Sequence, residues 1–580
     1  MSGPSDQGVS FLGSIHRGRL RWDLLDPFPC QDAHERSAGD LVIGDLRTLL
    51  EERAEPDGTD RTAALPDGLL DALREGGFLR AGLDARMGGL ELSPFNIFRM
   101  VSAAAARSVP TAMILAVENG LGLAALLTHL RPGPLRDFVR ERVRAGIISG
   151  LADTEPDGAS NLRRFTTATP TGDGSGYLLD GEKLFVGNAP IADHLIVSAS
   201  VREGGAERRR LLVVDTRTTG MGITTQDFAG IRGFPIGRVV LDQVVVSRER
   251  VVTGPEDDTV RLTPAAAVMA RGGRVHLTAA PSLAIARQCL DWSQRFVRER
   301  VIDGRPLGAY AEIQRQLAET ASEVFALEAV AEWVLLAPAG TARADTSLEQ
   351  SAIKNIGTGI ADRVVSRTVA LLAGEGYETA RSKQRRGADR LFPVERALRD
   401  SWAFRIAGGV DFHFDQVMAR RHIMPHYLAS TVPPDSPPRD GGRRQPTDCG
   451  PPMLSARNRH HLRALTREVE EFPSLCRALV RRRPDPAAPD AEARPLILLN
   501  RLANELLTGC LALARAATLA VAGRADAQDL ADVYCAGARH RVTGLRECLT
   551  DTEAPDHRRL AAGLLAGPSG RPADEAKESR

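Results

Sequence analysis

The chain has 580 residues, of which 43% are hydrophobic and 26% are charged, and its formal net charge is +1. This length predicts two to four domains, and the balanced charge excludes bulk electrostatic attraction to nucleic acid. The seven cysteines are dispersed without a CxxC pair, which favours reduced thiols and argues against a disulfide framework or a metal site. We find no signal peptide and no uninterrupted apolar run of bilayer-spanning length, so a cytoplasmic protein is expected.

The first part of the chain is predicted to be helical. After an N-terminal extension over residues 1–34, the stretch "LPDGLLDALREGG" repeats apolar residues at three- and four-residue spacing and then stops at glycines. We assign residues 35–148 to an N-terminal helical domain. The pattern then changes to short β-branched runs such as "YLLDGEKLFVGN" and "GRVVLDQVVVS", which predict a β-domain of sandwich or barrel type over residues 149–261.

Long helices return over residues 262–429. Segments such as "AEIQRQLAETASEVFALEAVAEWVLLA" carry one broad apolar face, as in a helical bundle. Residues 430–453 are rich in proline, glycine and charge and predict a linker, residues 454–566 predict a further helical domain, and residues 567–580 predict a disordered tail. The fold class is therefore α+β and mostly α.

A series of motifs carries the functional signal. "LADTEPDGASN" at residues 151–161 is turn chemistry by itself, but it is followed in order by "YLLDGEKLFVGN", "RFVRERVIDGRPLG" and "PVERALRDSWAFRI". This series resembles the acyl-CoA dehydrogenase family of flavoproteins, and residues 454–566 resemble the C-terminal extension of its very-long-chain branch. The resemblance implies an N-terminal helical domain, a middle β-domain, a four-helix bundle and an extra helical domain.

The resemblance also implies a reaction and its partners. Such an enzyme holds FAD against an acyl thioester, on CoA or on an acyl-carrier protein, and desaturates it between the α- and β-carbons. Electrons then pass to an electron-transfer flavoprotein or a similar acceptor. Because the family shares its FAD sites between subunits, a homodimer or a hetero-oligomer with a paralogue is expected. The resemblance further hints that the C-terminal helices dock on a membrane.

Six positions match FAD-contacting positions of the family: Thr154 at the flavin ring, Ser160 at the pyrophosphate or thioester, Phe185 as the flavin-flanking aromatic, Arg300 at the diphosphate of the neighbouring subunit's FAD, Gln314 beside it, and Gly374 in the adenine-side turn. Other positions depart from the pattern, notably Gly187, Ile302 and Glu375. Each FAD hydrogen bond lost in this way is worth on the order of 1 kcal/mol.

The catalytic base is the largest departure. In "LRDSWAFRIAGGVDFHFD", residues 398–415, the position of the family's catalytic glutamate is Gly408. A minority of the family uses a glutamate on an earlier helix, whose counterpart falls at about Arg274, and arginine is no base. Asp411 is the candidate replacement, with Glu375 on a neighbouring turn.

Two functions therefore stay open. The first is an FAD-dependent dehydrogenase that works with a displaced base. The second is a catalytically inactive or repurposed paralogue that acts as a scaffold or partner subunit of a mixed acyl-CoA dehydrogenase complex.

Overall fold

The computed structural model of the protein describes residues 9–158, 161, 164–203, 206–252, 264–340, 344–428, 453–482, 493–551, 555 and 557–566. The predicted linker, except for Met453, and the predicted tail lie outside these residues. The helices of the first block are α1 (Phe11–His16), α2 (Ala33–Arg53), α3 (Pro56–Thr62), α4 (Leu69–Glu75), α5 (Pro94–Arg107), α6 (Val109–Gly120), α7 (Leu123–Leu127) and α8 (Pro134–Arg144).

A twisted sheet of eight strands follows the first block. Its strands are β1 (Ser149–Ala152), β2 (Thr167–Pro170), β3 (Gly176–Gly187), β4 (His194–Glu203), β5 (Ala206–Asp215), β6 (Met221–Thr225), β7 (Ile236–Ser247) and β8 (Val251–Val252). The strand order is β6-β7-β3-β2-β4-β5-β8, with β1 paired to β4. β1 and β2 run parallel to β4, and the remaining pairs are antiparallel. The alternation of apolar residues along these strands fills an apolar core of the β-domain.

The helical bundle follows the sheet in the chain and is built from long helices. Its elements are α9 (Pro264–Gly272), a π-helical segment (Gly273–Ala279), α10 (Ala280–Glu299), a hairpin of β9 (Val301–Ile302) and β10 (Arg305–Pro306), α11 (Ala311–Leu336), α12 (Ser347–Leu372), α13 (Gly374–Tyr377), α14 (Ala380–Arg385), α15 (Val394–Ile406), α16 (Asp411–Met418), a second π-helical segment (Ala419–Ile423) and α17 (Pro425–Leu428). The C-terminal helices are α18 (Ala456–Arg482), α19 (Ala493–Val521), α20 (Asp526–Thr550) and α21 (His557–Leu565). The fold is thus α+β and mostly α.

One apolar core joins the first helical block, the bundle and the C-terminal helices. Trp333 of α11 lies in this core and is 1% exposed. The rings of Phe11 and Phe28, both in the N-terminal extension, lie 6.2 and 6.3 Å from the Trp333 ring. The Phe28 amide also donates to Thr518 Oγ1 of α19 at 3.3 Å. The extension therefore fastens the C-terminal helices to the bundle.

Two helical stretches have the length and composition of a membrane span, Val109–Leu127 and Ala493–Val521. In each, 83% of the apolar window is buried inside the protein. The sequence analysis had found no such run because it required an unbroken apolar stretch. Burial in the protein core accounts for the composition of both stretches.

A buried carboxyl group joins α6 to the β-domain. Glu118 accepts hydrogen bonds from the Ser149 amide at 2.7 Å, the Ser149 hydroxyl at 2.9 Å and the Asn188 side-chain amide at 3.2 Å. Burial raises the pKa of Glu118 to about 8, and these hydrogen bonds oppose the shift. At neutral pH the carboxyl group at this joint is therefore largely protonated.

The joint predicts a pH-dependent stability. Because the folded-state pKa of Glu118 lies above its ordinary value of 4.5, the folded protein binds this proton more tightly than the unfolded chain does. The contribution of Glu118 to stability is full at low pH and is lost as pH rises towards about 8. We expect Glu118→Gln to flatten the fall in melting temperature between about pH 5 and pH 8, measured by differential scanning calorimetry.

The matched control is Glu312→Gln. Glu312 is exposed, and its hydrogen bonds from Arg315 and Gln316 lower its pKa to about 2, so it does not titrate in this window. If the melting temperatures of the wild type and of Glu118→Gln fall equally between about pH 5 and pH 8, the assignment of this titration to Glu118 is contradicted.

Candidate active site

Thr154 lies on a loop that two carboxylates hold in place. Glu155 is buried, pairs with Lys183 at 2.8 Å, and accepts the amides of Phe165 and Thr166 at 2.8 and 2.9 Å. On the other side of Thr154, the carboxylate of Asp153 pairs with the guanidinium of Arg164 at 3.0 Å. The glutamate of the Thr-Glu-Pro motif therefore fixes the loop that carries the half-buried Thr154.

The structure brings Phe185 next to Thr154. The Leu184 amide donates to the Thr154 carbonyl at 2.9 Å, and Phe185 is the next residue of β3. A shift in the β3–β7 register between Lys183 and Val186 leaves Phe185 at a φ of 58°, with its amide donating to Gln226 Oε1 at 2.8 Å. Its ring is 55% exposed and meets Phe228 edge-on at 5.8 Å. This irregularity turns an aromatic face outwards beside Thr154.

The glycine turn after α15 forms the bundle side of the site. Gly408 and Gly409 both adopt positive φ angles, 70° and 108°, which glycine tolerates and other residues rarely adopt. The Lys354 ammonium of α12 donates to the carbonyls of Arg405, at 3.0 Å, and of Gly409. A buried cation thus holds the last carbonyls of α15 and fixes the turn.

The two positions at which the sequence analysis expected the family's base, Gly408 and Arg274, meet in space. A Cβ placed on Gly408 would lie 3.8 Å from Cγ of Arg274, and no other non-neighbouring heavy atom of the structure lies within 4 Å of it. Arg274 belongs to the π-helical segment that precedes α10. The structure therefore brings Gly408 and Arg274 together, and neither residue can accept a proton.

The candidate replacement bases all have other partners. Asp411 accepts from Arg405 at 2.6 and 3.0 Å, and this arginine helps to hold the pKa of Asp411 below its usual range in spite of burial. Glu375 lies 3.8 Å from the guanidinium of Arg300. A carboxylate of low pKa in an ion pair is a poor base.

Arg300, Gln314 and Gly374 come together at the end of the bundle. Arg300 follows α10 and its side chain is 50% exposed. The Arg300 carbonyl accepts the Leu307 amide at 2.8 Å, and the Gln314 side chain donates to the Gly308 carbonyl at 2.9 Å, so both residues flank one hairpin. Gly374 begins α13, next to Glu375. Ser160 lies outside the described residues.

The sequence analysis missed several residues of this site. Gln226 and Phe228 support Phe185 from the loop before β7, and they carry no motif that could have singled them out. Glu118 did carry a signal, since it is the lone acid in the apolar run "TAMILAVENGLGLAALL". Lys354 is likewise a lone cation on the buried face of a helix.

Comparison with known proteins places this site in a family. The model of the acyl-CoA dehydrogenase middle domain matches residues 150–244, and the model of the acyl-CoA dehydrogenase C-terminal domain matches residues 268–422. The first match contains the Thr154 loop and Phe185. The second contains Arg274, Arg300, Gly374 and the Gly408 turn.

Curated relatives are named as acyl-CoA dehydrogenases. The chain is 29% identical over 425 residues to the probable acyl-CoA dehydrogenase FadE10 of Mycobacterium tuberculosis, covering 73% of this chain and 64% of the relative. It is 22% identical over 415 residues to the very long-chain specific enzyme of Rattus norvegicus, covering 70% of this chain and 61% of the relative. The chain thus spans just under two thirds of the length of each.

Solved structures share the fold. The acyl-CoA dehydrogenase of Bacillus anthracis, complexed with FAD, superposes with a TM-score of 0.72 at 18% identity, over 96% of this chain and 94% of that one. Butyryl-CoA dehydrogenase of Megasphaera elsdenii superposes with a TM-score of 0.57 at 20% identity, over 68% of this chain and 98% of that one. The chain therefore carries sequences that match the middle and C-terminal domains of acyl-CoA dehydrogenases, and it shares the fold of these solved structures.

Proposed function

We propose that the chain is an FAD-dependent acyl-CoA dehydrogenase-like oxidoreductase that acts on the α- and β-carbons of an acyl thioester, with Gly408 in place of the usual catalytic glutamate. The observation that carries the proposal is the outward aromatic face of Phe185 beside Thr154, in the matched middle domain. FAD, when bound, supplies the acceptor for the hydride that leaves the β-carbon. Electrons would leave through an electron-transfer flavoprotein or a similar acceptor.

The residues present fit a flavin ring better than they fit a pyrophosphate. The half-exposed ring of Phe185 offers a stacking surface, and Thr154 offers a hydroxyl group on a loop that the Glu155–Lys183 pair keeps rigid. At the other end, Arg300 would hold the diphosphate of a neighbouring subunit's FAD, with Gln314 and Gly374 beside it. There the Glu375 carboxylate competes for Arg300 and repels phosphate oxygens.

Removal of the α-proton is the weak step of this site. Gly408 has no side chain, and Arg274 faces the vacated position. Asp411 would have to leave the Arg405 ion pair to reach a substrate, and while it stays in that pair its pKa is lowered and it is a weaker base. We therefore expect slow proton abstraction by this chain on its own.

A second candidate is a partner subunit without its own catalysis, in a mixed complex with a paralogue. The Asp411–Arg405 and Glu375–Arg300 pairs favour it, because they engage both candidate carboxylates near the site. In such a complex Arg300 and Gln314 would serve the FAD of the active partner.

The visible absorption spectrum of the purified full chain separates these candidates. We expect a yellow protein with flavin absorption that bleaches slowly after addition of a long-chain acyl-CoA, since FAD contacts remain and the base is missing. Fast bleaching would contradict the slow-abstraction argument. A colourless protein would contradict FAD binding by the chain alone and would favour the partner-subunit candidate.

Restoring a carboxylate should restore proton abstraction. A positioned general base contributes about 10²–10⁴-fold, so we expect Gly408→Glu combined with Arg274→Gln, which removes the cation that would pair with the new carboxylate, to speed bleaching by about 10²-fold or more in stopped-flow absorption. The positive φ of Gly408 adds strain of about 1–2 kcal/mol to any side chain there. Gly408→Gln in the same Arg274→Gln background carries the same strain without a base and is the matched control. Equal rates in the two variants would refute a role for position 408 in proton removal.

The charge of Glu375 should weaken FAD binding. In Glu375→Gln the Arg300 guanidinium is released for phosphate, and an exposed ion pair of this kind is worth about 0–1 kcal/mol. We expect the Kd for FAD, titrated into the apoprotein by fluorescence quenching, to fall by about two- to fivefold. Glu378→Gln, which breaks the neighbouring ion pair with Arg386, is the control and should leave this Kd unchanged. An unchanged or weaker affinity in Glu375→Gln would count against competition for Arg300.

A further inference from the structure

The guanidinium of Arg274 is a partly buried cation that lacks an acidic partner among the described residues. It contacts Ser351 Oγ, 3.4 Å from Nη1, and the ring of Phe414, whose centroid lies 4.4 Å from Cζ. Its Nε is buried and has no hydrogen-bond partner. In the part of the chain that the structure describes, this arginine therefore keeps hydrogen-bonding capacity that the fold does not use.

The surroundings of Arg274 are positively charged. Burial, and then the cations of Arg271 and Arg421, lower its pKa to about 10. The two acids around the adjacent Lys354 are both engaged elsewhere: Asp411 pairs with Arg405, and Asp415 pairs with Arg501 at 2.9 Å. The positive charge at this position is thus uncompensated, and a buried charge of this kind favours an anion from outside the chain.

Open space adjoins the aliphatic stem of Arg274. A Cβ on Gly408 would lie 3.8 Å from Arg274 Cγ and would meet no other atom of the described residues within 4 Å, besides those of its own chain neighbours. The family resemblance places a glutamate side chain at this position. Glycine therefore leaves room beside the stem of an arginine, next to the site where the acyl group of the proposed substrate would lie.

We propose that Arg274 binds a carboxylate carried by the substrate, so that the acyl group is that of a dicarboxylic acid joined to its carrier by one thioester. The proposal rests on the proposed function for the thioester, and on the orphaned arginine for the carboxylate. A planar guanidinium forms two parallel hydrogen bonds to a carboxylate, and Arg274, which lies over the Phe414 ring, has an Nε without a hydrogen-bond partner. Arg274 is then a specificity-determining residue.

A pair of thioesters of equal chain length tests the proposal. Glutaryl-CoA and pentanoyl-CoA are titrated separately into the full-length protein by isothermal calorimetry, at constant ionic strength. We expect glutaryl-CoA to bind about tenfold more tightly, a difference of one decade in Kd. In Arg274→Gln the preference should vanish, and in Arg274→Lys, which keeps the charge without the fork, it should shrink. Arg295→Gln, a surface arginine of α10, is the control and should keep the full preference.

A second experiment tests carboxylate binding in the absence of a thioester. Glutarate, compared with glutaramide, should raise the melting temperature of the wild type and of Arg295→Gln but not that of Arg274→Gln. If glutarate does so while neither thioester binds, the carboxylate site stands, its ligand is a free carboxylate, and the proposed function fails.

Equal affinity for the two thioesters in the wild type would overturn the proposal, whether or not the protein is yellow. A preference that persists unchanged in Arg274→Gln would overturn it as well. So would a protein that binds neither thioester and does not respond to glutarate.

Discussion

A buried carboxyl group that accepts a hydrogen bond across a joint between two parts of the chain is the interaction on which this structure depends. It recurs at four joints. Glu118 accepts a hydrogen bond from the first strand of the β-domain, and Glu349 accepts one from α1. Asp400 accepts one from the loop before β7, and Asp415 accepts one from α19. A buried backbone amide without an acceptor costs about 1–3 kcal/mol, and Glu118, Glu349 and Asp400 each accept such an amide. Asp415 instead accepts the side-chain amide of Asn500. These joints set the β-domain and the C-terminal helices against the bundle.

The same burial raises the pKa values of these carboxyl groups. Burial raises the pKa of Glu349 to about 7 and that of Asp400 to about 6, while hydrogen bonds from neighbouring backbone amides pull in the opposite direction. A protonated carboxyl group still accepts a hydrogen bond and avoids the cost of a buried charge. Asp400 also holds Ile231 at a φ of 51°, a strained conformation that persists because the loop is tied to α15.

Much of this architecture was readable from the sequence, because periodicity and turn residues act over short stretches of chain. The order of helical and β-rich blocks followed from local patterns of residues, and the expectation that Thr154 and Phe185 share one flavin site followed from the family resemblance. The ion pairs could not be predicted from local patterns of residues. Glu375 and Arg300 are 75 residues apart, and Asp411 meets Arg405 only because the glycine turn reverses the chain between α15 and α16. Whether a carboxylate is available depends on such partners, which the spacing of the acids does not reveal, so the sequence alone could not rank the candidate bases.

The glycine turn also decides how charge is arranged around the proposed reaction centre. A side chain at 408 would need a positive φ, whereas glycine makes the turn without strain and lets Lys354 bond two carbonyls at once. Glycine at position 408 therefore leaves the backbone unstrained, carries no charge and places no side chain against Arg274. With Asp411 and Glu375 both held by arginines, the balance of charge beside the vacated position becomes positive. Such a site is poorly suited to removing a proton and well suited to holding an anion. The same charge balance therefore determines both the rate of proton removal and the kind of substrate that binds.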